Sequence, residues 1–165
     1  MYKRQGYDIA CAGAEGALFY QLKDEEISYT TVDFDPSFKK HLYFVYSGNK
    51  QNSAEEVKAF NKRKDLSQDD IEAVSEISEA MASATSLTAF EKLIDQHEDI
   101  LSKCLDRPKI KEDRFSDFWG SVKSLGAWGG DFILVTSKES PEKTKAYFNQ
   151  KGLEVCFTFD ELLLH

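Results

Sequence analysis

The sequence predicts an α+β domain in which helices cover an antiparallel sheet, and three observations carry that prediction. Short apolar runs bounded by turn residues alternate with longer segments of helical spacing. Two early runs flank the polar turn at residues 23–26, as in a hairpin. A strand–helix–strand unit closes the chain. Read residue by residue, the element order is α-β-β-β-α-α-α-α-β-α-β. The 165 residues amount to one ordinary domain, long enough to bury a substantial core.

Residues 1–5, MYKRQ, join abruptly to an apolar segment; they read as a non-native leader and are set aside. The small residues Ala10 to Ala14 suit a short, tightly packed helix with Asp8 near its amino end. There the free amides and the helix dipole favour a carboxylate. Residues 16–22 and 27–32 follow as strands, and residues 41–46 (HLYFVY) as a third, aromatic strand before a polar loop at 47–52. Ser53-Ala54-Glu55-Glu56 has the form of a capping box and starts a helix reaching about residue 64. Ser67 or Gln68 opens another, with Ile71, Val74, Ile77 and Met81 at helical spacing. Thr88 to Glu91 forms a second capping box, behind which Phe90, Leu93, Ile94, Ile100, Leu101 and Cys104 make one apolar stripe. His97 interrupts that stripe as a boundary residue. After the break at Asp106-Arg107-Pro108, the residues Phe115, Phe118, Trp119 and Val122 mark a further helix leading to a glycine turn. Residues 132–135 are a buried strand, and Ser140-Pro141 caps a helix that Gly152 stops. Residues 153–158 form the last strand and 159–165 a tail.

Composition narrows the function classes. A net charge of −8 lacks the basic footprint of a nucleic-acid binder. No apolar run has membrane-spanning length. The three cysteines, Cys11, Cys104 and Cys156, are widely spaced without a CxxC and read as reduced, mostly buried thiols of a cytoplasmic protein. His41, His97 and His165 pair with no cysteine at ligand spacing, so no metal site is expected. The acidic positions Glu72, Glu76 and Glu79 read as a solvated helix face.

The segment 123–137, KSLGAWGGDFILVTS, combines a glycine-rich turn with a strand of four apolar residues. Taken alone it admits two readings. One is a tight connection into a central strand. The other is a loop whose backbone amides line an anion site.

Two distant segments make a resemblance specific. GYDIACAGAEGALFY resembles the stretch of mevalonate kinases and their relatives in the GHMP kinase superfamily that carries G-x-D-x-A and then a G-A-L-x-Y strand. The opening GYDIA matches the name-giving motif of that superfamily's GYDIA branch. KSLGAWGGDFILVTS resembles the superfamily's carboxyl-proximal motif, a lysine-led glycine loop entering a strand. YSGNKQNSAEEV, between them, is similar to the family's strand-then-helix passage. The likeness spans residues 6 to about 159 and corresponds to the carboxyl-terminal half only; no string like the family's ATP loop, P-x-x-x-G-L-x-S-S-A, is present.

The resemblance implies a ferredoxin-like carboxyl-terminal domain over residues 6–165. It further implies that the chain is a fragment, inactive alone, of an ATP-dependent kinase phosphorylating a hydroxyl of a small metabolite. Mevalonate, and with it isoprenoid biosynthesis, is the first expectation. Phosphomevalonate, a sugar and the related decarboxylase chemistry stay open. ATP and Mg²⁺ would be bound mainly by the missing amino-terminal half. That half and a small-molecule substrate are the expected partners, with a homodimer of the full-length protein open. By the same resemblance Asp8 faces the substrate hydroxyl, the alternative being a plain helix cap. Gly126, Ala127, Trp128, Gly129 and Gly130 would border the substrate and the transferred phosphate. Trp128 and Asp131 stand where the family has glycines, and Asp131 is expected to point away into a structural hydrogen bond. Lys123 is expected to be exposed and Ser53 to be a cap. The competing readings are a freestanding ferredoxin-like module that binds a ligand or partner without catalysis, and one half of a two-chain kinase.

Overall fold

The computed structural model describes residues 10–11, 13–14, 16–23, 26–48, 67–126 and 130–163. It divides into two compact units, residues 1–35 and 36–165.

In the first unit β1 (Ala17–Lys23) and β2 (Glu26–Val32) form an antiparallel ribbon, in register from Ala17↔Val32 to Lys23↔Glu26. The hairpin expected from the turn residues is therefore present. The side chains of β2 are exposed except at Val32, with Ile27 and Tyr29 prominent among them.

The second unit is built on a four-stranded antiparallel sheet. Its strands are β3 (Leu42–Tyr46), β4 (Val122–Ser124), β5 (Phe132–Thr136) and β6 (Cys156–Thr158), in the order β4-β5-β3-β6. A single turn of 3₁₀ helix at Lys39–His41 leads into β3. The helices are α1 (Gln68–Ala82), α2 (Leu87–Leu105), α3 (Ile110–Arg114), α4 (Pro141–Gln150) and α5 (Phe159–Leu163). Both β5 and β6 pair antiparallel with β3, so they run parallel to each other on either side of it. This is a split β-α-β unit, and with β4 at the outer edge the strand order is ferredoxin-like.

Alternation along the strands separates two buried surfaces. Tyr43, Val45, Val122, Ile133 and Val135 face one side, where Phe148 of α4 packs with Phe115, Phe118 and Leu153. Leu42, Leu134 and Thr136 face the other side. There α2 reaches the sheet, and Thr136 Oγ1 donates to Glu91 at 2.8 Å. Burial on both faces explains why β5 reads as an unbroken apolar run.

The expectations fail at four places, each for a local reason. The helix expected through Phe115–Val122 is absent: α3 ends at Arg114, and the aromatic residues form an irregular cover over the core, followed by strand β4. Their three-and-four spacing mimics a helix because Phe115, Phe118 and Val122 drop into the same core, while Trp119 stays exposed. Helix α2 begins at Leu87 with the Ser86 side chain accepting from Ala89 N–H, so the cap is two residues earlier than Thr88. The last strand is confined to Cys156–Thr158, and the tail continues as α5. Of the thiols, Cys11 is exposed and Cys104 and Cys156 are half-buried. The helix expected after Ser53 lies outside the described residues. The caps at Ser67 and Ser140 and the exposed faces of Glu72, Glu76 and Glu79 agree with expectation.

One glycine is dictated by close approach. A Cβ on Gly120 would collide with the Thr136 backbone carbonyl, because Ser121 and Thr136 cross there, with Thr136 N–H donating to Ser121 O at 3.0 Å. Gly120→Ala is therefore expected to lower the unfolding free energy by roughly 1–3 kcal/mol or more, the usual range for an overpacked core. Gly16→Ala, where a Cβ meets nothing within 4 Å, serves as the control in a urea titration of both variants.

Candidate functional site

The glycine turn lies between β4 and β5, and its two stems are held differently. On the β4 side Leu125 N–H donates to Phe132 O at 3.3 Å, and Gly126 follows with φ +63°, a backbone that side-chain-bearing residues rarely adopt. On the β5 side Gly130 is buried, and its carbonyl accepts the Ser47 hydroxyl at 2.6 Å. Ser47 N–H also donates to Asp131 O at 2.7 Å, and Arg114 Nη2 donates to Ser47 O at 3.4 Å. Ser47, only 2% exposed, thus ties the end of β3 to the end of the turn.

Immediately before the turn sits a buried charged cluster. Lys123 is not the solvated residue expected from the sequence: its side chain is 14% exposed, and α2 lies over it. Its ammonium donates to His97 Nδ1 at 2.9 Å, with Nε2 at 3.3 Å, and lies 3.9 Å from Glu98 Oε1. Glu98 is also buried, and Ser124 Oγ donates to its two oxygens at 2.9 and 3.1 Å. Burial pushes the Lys123 amine down to about 8, with the Glu98 charge pulling the other way. A shallow hollow opens beside the cluster, with Glu98, Ser102, Ser124, Arg107 and Lys109 on its walls. Lys109 is held above the ordinary lysine range there by hydrogen bonds to Asp99 and Glu112.

His97 and Glu98 lie three and four residues after Ile94 and four and three before Leu101, in the middle of the buried stripe of α2. That spacing was the available sign that the pair is internal. Ser47 left no such sign, because its partner lies 83 residues away. Of the expected site residues, Gly126 and Gly130 frame the turn as described. Asp8, Ala127, Trp128 and Gly129 lie outside the described residues, as does Ser53. The Asp131 residue is exposed and engages Ser47 through its backbone carbonyl. Among the described residues no group of three His, Cys, Asp or Glu side chains could hold a metal ion, and no helix is long and apolar enough to cross a membrane.

Comparison with known proteins places the fold. No protein-family model matches the sequence, and no curated protein matches it. Among solved structures the chain is similar to mevalonate kinase of L. major, solved in complex with R-mevalonate, with a TM-score of 0.70 at 14% identity. The match covers 96% of this chain and 52% of the kinase, so the chain spans about half the length of the structure it resembles. The fold is therefore a mixed α/β fold like that of about half of this kinase.

The buried lysine makes a prediction with a definite sign. An unfolded lysine titrates near 10.4, whereas Lys123 in the fold titrates near 8. Between those values the unfolded chain holds the extra proton, so this group makes stability rise with pH; below about 8 its full cost is present. The unfolding free energy of the native chain, minus that of Lys123→Met, should rise by up to ~3 kcal/mol from pH 8 to 10.4. A flat difference in pH-resolved denaturant titrations would show that Lys123 is not held as described.

Proposed function

We propose that this chain is the carboxyl-terminal half of an ATP-dependent GHMP-type kinase that phosphorylates a hydroxyl of a small, anionic metabolite, mevalonate being the first candidate. The observation that carries the reading is the coincidence of the two kinds of likeness. The fold aligns over nearly the whole chain with half of a mevalonate kinase, and the glycine turn joins β4 to β5, the strands that bracket the lysine-led motif.

In phosphoryl transfer the protein chiefly positions groups and stabilises charge. Asp8 would orient the attacking hydroxyl and accept its proton. The turn from Gly126 to Gly130, with Ala127, Trp128 and Gly129, would offer backbone amides to the transferred group, a form of stabilisation that needs no side-chain rearrangement. By the resemblance ATP and Mg²⁺ are assigned mainly to the other half of the enzyme, and no step is derived through them. A row of half-exposed aromatic residues, Tyr46, Phe132 and Phe157, lies beside the β5 stem, with centroids 5.5 and 6.4 Å apart. It provides an apolar surface against which that half could pack.

The test joins this chain to the amino-terminal half of a mevalonate-type kinase and measures ADP release with mevalonate and a panel of alcohols. Turnover is expected, and Asp8→Asn should lower kcat by about 100-fold or more, the usual contribution of a positioned base. Turnover that ignores the substitution would reduce Asp8 to a helix cap. Folded, joined protein without turnover on any alcohol would favour the non-catalytic binding module.

A further inference from the structure

The antiparallel pair that closes the sheet at the glycine turn is only half made. Ser47 and Asp131 extend the β3–β5 register one step beyond Tyr46↔Phe132. Residues that face each other as a hydrogen-bonded antiparallel pair exchange both N–H···O bonds. Here Ser47 N–H donates to Asp131 O, but the reciprocal bond from Asp131 N–H to Ser47 O is not formed. Ser47 O accepts from Arg114 Nη2 instead.

The peptide linking Gly130 to Asp131 accounts for the difference. Its carbonyl, on Gly130, turns inward to accept the buried Ser47 hydroxyl at 2.6 Å. No peptide bond among the described residues is cis, and in a trans peptide the carbonyl and the N–H point in opposite directions. The Asp131 N–H is therefore aimed away from β3, on a residue that is itself exposed. No acceptor for it occurs among the described residues. An ordinary ladder would have consumed this donor. The serine hydroxyl releases it.

We propose that Ser47 is a positioning residue for the glycine turn: its hydroxyl holds the 130–131 peptide reversed, so that the Asp131 N–H is presented outward as a donor to the oxyanion of a phosphoryl-bearing ligand. The identity of the ligand rests on the kinase reading above; the orientation of the peptide rests on the hydrogen bonds alone. Replacing Ser47 by alanine removes the bond that holds the carbonyl inward, and the peptide is then free to turn over and complete the ladder with Asp131 N–H on residue 47 O. Threonine keeps the hydroxyl and should keep the arrangement. The Asp131 carboxylate places a like charge next to the donor, which opposes anion binding. Asp131→Asn should therefore tighten it.

The experiment uses ¹⁵N-labelled chain with pyrophosphate as the probe. In the native protein the Asp131 amide should exchange rapidly with solvent, and its resonance should move on pyrophosphate addition. In Ser47→Ala that amide should gain protection and the pyrophosphate affinity should fall about tenfold, while Ser47→Thr behaves as the native chain. An Asp131 amide already protected in the native chain, or equally exposed with alanine at 47, overturns the proposal. So does a native turn that gives no pyrophosphate response. If alanine at 47 prevents folding, the native and Ser47→Thr measurements still decide the peptide's orientation. Failure of the joined enzyme to turn over, with the Ser47 dependence intact, would count against the kinase reading alone.

Discussion

The pairing of β3 with β5 is the constraint on which the second unit depends. These five-residue strands occupy the middle of the sheet, and their side chains are buried alternately under α4 and under α2. A sheet covered on both faces must satisfy its backbone groups internally and fill both sides with close-packed apolar residues. The consequences spread outward from there. Gly120 can carry no side chain because Ser121 crosses over the end of β5, and Thr136 is both a ladder residue and a hydrogen-bond partner of α2. Where the ladder runs out at its other end, Ser47 and Phe132 hold the two stems of the glycine turn.

That end of the sheet also carries buried polar and charged side chains. Ser47 is drawn to one stem of the turn, and Lys123, His97 and Glu98 gather beside the other. A buried ammonium and carboxylate gain little net stability over apolar residues of similar size, because desolvation offsets their attraction. Clusters of this kind occur disproportionately at functional sites, where a charge or a backbone group has to be held in one arrangement. The cluster here abuts the turn directly, through the sequence Lys123-Ser124-Leu125-Gly126.

Much of the fold was legible because local signals and tertiary demands coincide. The hairpin, the apolar run of β5 and the caps at Ser67 and Ser140 all announce themselves within a few residues. The strand β4 was hidden for the opposite reason. It has three residues, includes a lysine and a serine, and is defined by its partner β5 and not by its own pattern. The aromatic segment before it copied a helical period while packing irregularly. In the candidate site the glycine turn was visible, since glycine marks unusual backbone wherever it clusters. The groups that hold the turn were not, because Ser47 and Gly130, or His97 and Lys123, meet only after the chain has folded.

Native-state amide hydrogen exchange tests this ordering of causes most directly. If the β3–β5 pair is the element on which the rest depends, the amides of residues 43–45 and 133–135 that bond within the sheet should exchange slowest. They should open only with global unfolding, while the β1–β2 ribbon exchanges through far easier local opening. Slowest exchange in the ribbon or in α1, with the β3–β5 amides opening locally, would contradict the account.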